Sequence, residues 1–233
     1  MLDTRTPRPR RGRTITRQRR IRLSDMDAQG RLRLDAVARF LQDIAIDDVQ
    51  ETGWGTPEHV WFLRSIFVDV VEPFSGDIEV ELTTWCNAVA AIAAGRRWSL
   101  QGDAGGRIEV DSVWIHLDAE QRPLRIEDFG VYAESAGGRH VSTKLGLPDP
   151  PSDAPRMPWP LRATDVDLHG HVNNAVHWQA VEQVLPVTGR LRAELDYRRP
   201  IDLGDELQLV QFAPCVAFVT GDEVRAVARV TPT

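Results

Sequence analysis

Apolar positions along the chain form two helical stretches, each followed by runs of strand type. Leu34, Val37, Phe40, Leu41 and Ile44 recur at the three-to-four spacing that puts them on one helical face. Val172, Val176, Ala180, Val181 and Leu185 repeat the pattern, and Pro186 ends it. After the first helix, residues 60–71, 77–85, 95–103 and 107–118 read as β-strands, separated by turn signals at Pro73, Gly76 and the DAGG of 103–106. After the second, residues 191–199, 205–212, 215–221 and 223–230 read the same way. No helical stretch separates successive strands to make a parallel crossover. Each half therefore predicts an antiparallel sheet with one long helix packed on it, an α+β layer.

The halves also share a phrase. Shifting the chain by 140 residues lays Arg22-Leu-Ser-Asp25-Met-Asp27-Ala-Gln-Gly30 over Arg162-Ala-Thr-Asp165-Val-Asp167-Leu-His-Gly170 without a gap. The Arg, both Asp and the Gly are identical, and each phrase leads into its helix. Such a repeat marks a tandem of one structural unit, and two such sheets can join edge to edge, covering an edge strand on each. The expected division is a basic disordered tail over 1–12, a first unit over 13–144, a linker over 145–158 with five prolines, and a second unit over 159–233.

Composition adds little, and charge adds more. With 42% apolar and 27% charged residues, the chain is an ordinary globular one. No stretch approaches the roughly 18 uninterrupted apolar residues of a membrane span, and the start lacks the apolar segment of a secretory signal. Cys86 and Cys215 form neither a disulfide framework nor a metal-ligand spacing. These features predict a cytoplasmic protein. Nine arginines and a single acid fall within residues 1–22 of a chain whose net charge is −6. That start reads either as a solvated tail or as an arm for an acidic partner.

Candidate chemistry gathers in residues 165–174, DVDLHGHVNN. The second half alone has His169 and His171; the first has Gln29 and Arg31 there, so a matching site cannot form in it. His171 is the first candidate for a general base, because imidazole titrates near neutral pH. Asp167, four residues earlier, suits orienting that ring or activating water, although its recurrence as Asp27 also suits a scaffold role. His169 suits either a site or a solvated loop. Asn173 and Asn174 stand at the helix start, where asparagine is favoured as a cap and where free N–H groups attract an anion. Glu182 reads as a solvated helix face, or else as an acid supporting the site. Neither cysteine has basic neighbours, so both read as small apolar residues.

The string Thr164-Asp165-Val-Asp167-Leu-His169-Gly-His171-Val-Asn173-Asn174 resembles the [ST]DxDxxxHVNN motif of the acyl-ACP thioesterases. Trp61-Phe-Leu-Arg64 with residues 68–85, DSVWIHLDAEQRPLRI (111–126) and ELDYRRPIDLGDEL (194–207) are similar to further family regions. The resemblance spans most of residues 20–212. It implies a tandem (double) hotdog fold, each half an antiparallel β-sheet wrapped around one long α-helix, and release of a fatty acid from acyl carrier protein. It implies a catalytic second half and a first half that holds the acyl chain, with Trp61 and Phe40 among the contacts, and substrate binding at Asn173 and Asn174. Two departures stand out. His169 occupies the place of a plant Asn. Pro200-Ile201 occupies the place of a functional Glu-Cys pair, which favours direct attack by water over an acyl-enzyme.

The expected catalytic set is thus His171, Asp167 and His169, with no metal and no cofactor. The expected partner is acyl carrier protein, or acyl-CoA as an alternative substrate. Neither nucleic acid nor a membrane span is expected, and the chain would be a monomer or homodimer. The rivals are a hotdog hydratase, whose Asp–His spacing fits poorly, and an acyl-binding protein without activity.

Overall fold

The computed structural model describes residues 7–54 and 60–233. The first six residues of the expected tail lie outside the described residues. Strand β1 (Thr14–Arg20) leads through a short 3-10 turn into helix α1 (Leu34–Thr52). Strands β2 (Val60–Glu72), β3 (Glu79–Ala90), β4 (Ala93–Gly102) and β5 (Arg107–Leu117) follow, then a one-and-a-half-turn helix α2 (Val131–Ala136). The second unit runs β6 (Arg156–Pro158), a second 3-10 turn, α3 (Asn174–Val184), β7 (Leu191–Tyr197), β8 (Leu207–Phe212), β9 (Cys215–Thr220) and β10 (Glu223–Pro232).

All ten strands form one antiparallel sheet in the order β1-β3-β4-β5-β2-β7-β10-β9-β8-β6. Read outward from the seam, both halves have the same order. The seam pairs β2 with β7 from Ser65–Asp196 to Val70–Leu191. Each unit thereby covers an edge that would otherwise template aggregation. Alternation along the seam strands points Val68, Val70, Leu191, Ala193 and Leu195 into a core shared with α1 and α3. The opposite face carries a charge ladder: Arg192 on Asp69 at 2.6 Å, Arg97 on Asp111 at 2.6 Å, and Arg229 on Glu194 at 2.5 Å. This is the tandem arrangement of sheet and long helix expected from the pattern.

The repeated phrase is a hinge-like loop built twice. Asp25 and Asp165 each accept the backbone N–H of the arginine three residues earlier, at 2.9 Å in both halves. Gly30 and Gly170 take left-handed φ values of 78° and 81°, a conformation that a Cβ disfavours. The four shared residues are therefore those the turn requires.

Two expectations need correction, and a third gains detail. The arginine-rich start is not wholly a tail, because strand β1 begins at Thr14 and its arginines answer the acidic face of α1. Arg13 bonds Asp48 and Glu51, both at 2.6 Å, while Arg17 and Arg19 pair with Glu51 and Asp43. The proline-rich linker is held along the second unit: Leu147 is buried against Val210, Ala217, Val219 and Val227, and the N–H groups of Gly146 and Leu147 donate to Asp196 at 3.0 and 2.8 Å. Glu182 is no solvated face. It accepts from Arg31 at 2.8 Å and from the backbone N–H of Leu34 at 3.0 Å, fastening α3 to the start of α1. The two helices lie against each other, so the outward side of one is the inward side of the pair.

Candidate functional site

Val172 pairs with Val166 across the second turn, and His171 pairs as an isolated bridge with Asp202. That bridge brings together residues far apart in the chain. His171 Nδ1 lies 2.7 Å from Asp202 Oδ1. An ionised carboxylate only accepts, so this contact places a proton on Nδ1, and in the neutral ring Nε2 is then the acceptor. His171 is one-third exposed and Asp202 about two-thirds (34% and 64%), so the pair is open to water and to a bound substrate. Asp202 was not singled out from the sequence. It stands one residue beyond Pro200-Ile201, so an acid does support this histidine, although at another position.

The other motif residues build the turn and the helix start. Asp167 Oδ1 accepts the N–H of His169 at 2.9 Å, and Oδ2 faces Asn173 Nδ2 at 3.4 Å. Asp167 thus braces the loop, and the partner of the His171 ring is Asp202. Asn173 caps α3, its side-chain oxygen accepting from the N–H of Ala175 at 2.9 Å. Capping and site roles coincide here, because the cap sets the direction of the first free N–H groups of α3. His169 is exposed on the loop. His177, one helical turn into α3, is buried between Tyr197 and Phe218, and burial pushes its imidazole down to about 4. It is a neutral core residue.

A narrow apolar crevice with free space of about 20 Å³, room for roughly one water, lies between α1, α3 and the sheet. Leu41, Leu63, Ile66, Trp98, Trp114 and Trp178 line it together with Gln42, Asn174 and Tyr197, and its surface is almost wholly apolar. Tyr197 donates its hydroxyl to the carbonyl of Asn174 at 3.4 Å. Asn174 therefore joins the crevice to the loop that carries His171, three residues earlier. Neither Phe40 nor Trp61 lines this crevice. Phe40 is buried beneath the guanidinium of Arg19, and Trp61 stacks with His116 and Phe129 at 4.8 and 5.7 Å. Helical phase accounts for the first: Leu41 and Ala38 face the crevice, and Phe40 is rotated away. Both cysteines are buried, and burial lifts the Cys86 thiol to about 11 and that of Cys215 in the same direction. Neither is a ready thiolate. Among the described residues no group of three or more His, Cys, Asp or Glu side chains could hold a metal ion, and no helix is long and apolar enough to cross a membrane.

Known proteins match this arrangement along its length. The acyl-ACP thioesterase N-terminal domain matches residues 12–129, and the acyl-ACP thioesterase C-terminal domain matches residues 150–223. An uncharacterised protein of Mycobacterium tuberculosis (strain H37Rv) is 32% identical, over 95% of this chain and 93% of its own. The oleoyl-acyl carrier protein thioesterase 2 of Arabidopsis thaliana chloroplasts is 24% identical, over 74% of this chain and 55% of its own. Among solved structures, an acyl-ACP thioesterase from Bacteroides thetaiotaomicron superposes with a TM-score of 0.78 at 19% identity, covering 93% of this chain and 96% of that one. The 12:0-ACP thioesterase from Umbellularia californica gives 0.74 at 18%, covering 94% and 98%. These similarities establish the hotdog-type fold, and family and fold together support thioester hydrolysis. With both domain models matched in order along one continuous sheet, the chain belongs to the acyl-ACP thioesterase family.

Proposed function

We propose that this protein hydrolyses the thioester of an acyl-ACP and releases the free fatty acid by direct attack of water. The observation that supports this reading is the His171–Asp202 pair on the loop that leads into α3, whose first residue, Asn174, lines an apolar crevice. The acyl chain enters between α1, α3 and the sheet along the crevice, which widens to take it, and the thioester carbonyl lies at the backbone N–H of Asn174, where the dipole of α3 favours negative charge. Nε2 of His171 takes a proton from water as the water oxygen bonds to the carbonyl carbon. The tetrahedral intermediate then expels the thiol by breaking the C–S bond, and the proton returns from His171 to the sulfur. Asp202 holds the ring in the tautomer this needs. Asn173 fixes the helix start, and Asp167 holds the loop with His169 at its tip. No acyl-enzyme step enters, because Pro200 and Ile201 offer no nucleophile and the two thiols are buried.

Free-acid release from acyl-ACP and acyl-CoA of several chain lengths tests the reading, with His171→Ala alongside. Turnover of acyl-ACP is expected, with a loss of about 10²- to 10⁴-fold in the variant, the usual range for a general base. Preference for acyl-CoA would change the substrate and leave the chemistry. No turnover of either thioester would sink the proposal.

A further inference from the structure

The two halves are related by the 140-residue shift, and that relation identifies a residue the motif does not contain. In the first half, the start of α1 is already occupied by an anion. Glu182 of α3 places Oε1 on the N–H of Leu34 at 3.0 Å and on Arg31 Nη2 at 2.8 Å. The same shift converts Leu34 to Asn174, Arg31 to His171, and Glu182 to Gln42. Gln42 does line the crevice together with Asn174. A neutral carboxamide thus stands where the other half has a carboxylate. Among the described residues neither the Gln42 side chain nor the N–H of Asn174 has a hydrogen-bond partner.

We propose that Gln42 is a catalytic residue supplied by the first half: its Nε2–H₂ donates, beside the N–H of Asn174, to the thioester carbonyl oxygen as that oxygen becomes an oxyanion. The inference rests on the thioesterase reading above. Glu182 Oε1 shows in the first half what an oxygen at this position meets, namely a helix-start N–H and a cationic side chain. The second half keeps the helix-start N–H, replaces the guanidinium by the His171 ring, and removes the built-in carboxylate. A carboxylate at 42 would compete with the substrate oxygen for the N–H of Asn174 and repel the developing charge. A carboxamide adds a donor without charge. The active site is therefore formed by both halves, which gives the first unit a part in the chemistry beyond holding the acyl chain.

Gln42→Met and Gln42→Glu, assayed beside the parent on the same acyl-ACP and acyl-CoA substrates, test this. Gln42→Met keeps the side-chain length and removes the donor, so kcat should fall about a hundredfold, as for loss of one oxyanion donor, with KM little changed. Gln42→Glu should be similarly impaired at pH 8. Its rate relative to the parent should recover as pH falls through the carboxylate range, which a structural role would not produce. Thermal midpoints report folding, and Gln42→Glu, nearly isosteric with the parent, carries the test if the methionine variant does not fold. Parental kcat in either folded variant overturns the assignment. A parent inactive on every thioester overturns it together with the thioesterase reading, and the parent's own assay tells the two failures apart.

Discussion

Replacing Glu182 by alanine removes a contact that holds the two units together, and its cost follows from burial and bonding. The Glu182 side chain is 11% exposed and that of Arg31 is 17%. Truncation strips Arg31 of one of its two carboxylate partners and leaves the N–H of Leu34 unpaired at the start of α1. Breaking a buried ion pair by deleting one partner costs about 3–5 kcal/mol. Arg31 keeps Asp27 at 3.0 Å, which puts the expectation near the low end, about 3 kcal/mol, of which roughly 1 kcal/mol is the orphaned N–H. In a chain of this size each kcal/mol moves the melting point by about 2–4 °C, so Glu182→Ala should melt about 6–12 °C below the parent. Glu182→Gln keeps an acceptor for the N–H and should lose roughly half as much. Calorimetry or circular dichroism melts of the three proteins decide the matter. A drop under about 2 °C for Glu182→Ala would place the pair among surface ion pairs of negligible worth and refute the docking argument.

Two further predictions concern the site and its surroundings. Asp202→Ala should lower kcat about tenfold by releasing the His171 ring, equivalent to about 1.4 kcal/mol of barrier. The Asp202→Ala/His171→Ala double variant should be no slower than His171→Ala alone, and independent, multiplying losses would show that the two do not act as one unit. His177 is neutral in the fold, with its imidazole pushed down to about 4. Between the ordinary value near 6.5 and that point, the unfolded chain takes up a proton that the folded chain refuses. Stability should therefore fall as pH drops through this window, by up to about 1.4 kcal/mol per unit, with no contribution from this residue above it. Denaturant titrations at pH 7 and pH 5 of the parent and His177→Leu check this, and an equal pH dependence in both would count against it.

How far the site was legible depended on how close in the chain its parts lie. The Arg, two Asp and Gly of the repeat could be read as scaffold, since two copies keep them and each serves a bond within its own turn. His171, Asn173 and Asn174 stood out as what the second copy adds, and the structure puts all three at the start of α3. Asp202 could not be read: it lies 31 residues from His171 and reaches it through a single bridge between two loops. Phe40 and Trp61 were plausible crevice residues by type, but helical phase and a separate aromatic cluster direct them elsewhere.

Local chemistry decided the elements of this protein: helical spacing for α1 and α3, turn residues between strands, and a repeated phrase announcing two like units. Those signals act between neighbours in the chain, so a single sequence displays them. Tertiary structure decided which edges join and what stands beside what. The β2–β7 seam, the Glu182 anchor on α1, the Asp202 support of His171 and the approach of Gln42 to Asn174 each join residues separated by 31 to 148 positions. Such pairings depend on the packing of one whole unit against the other, and nothing in the residues adjacent to either partner records them.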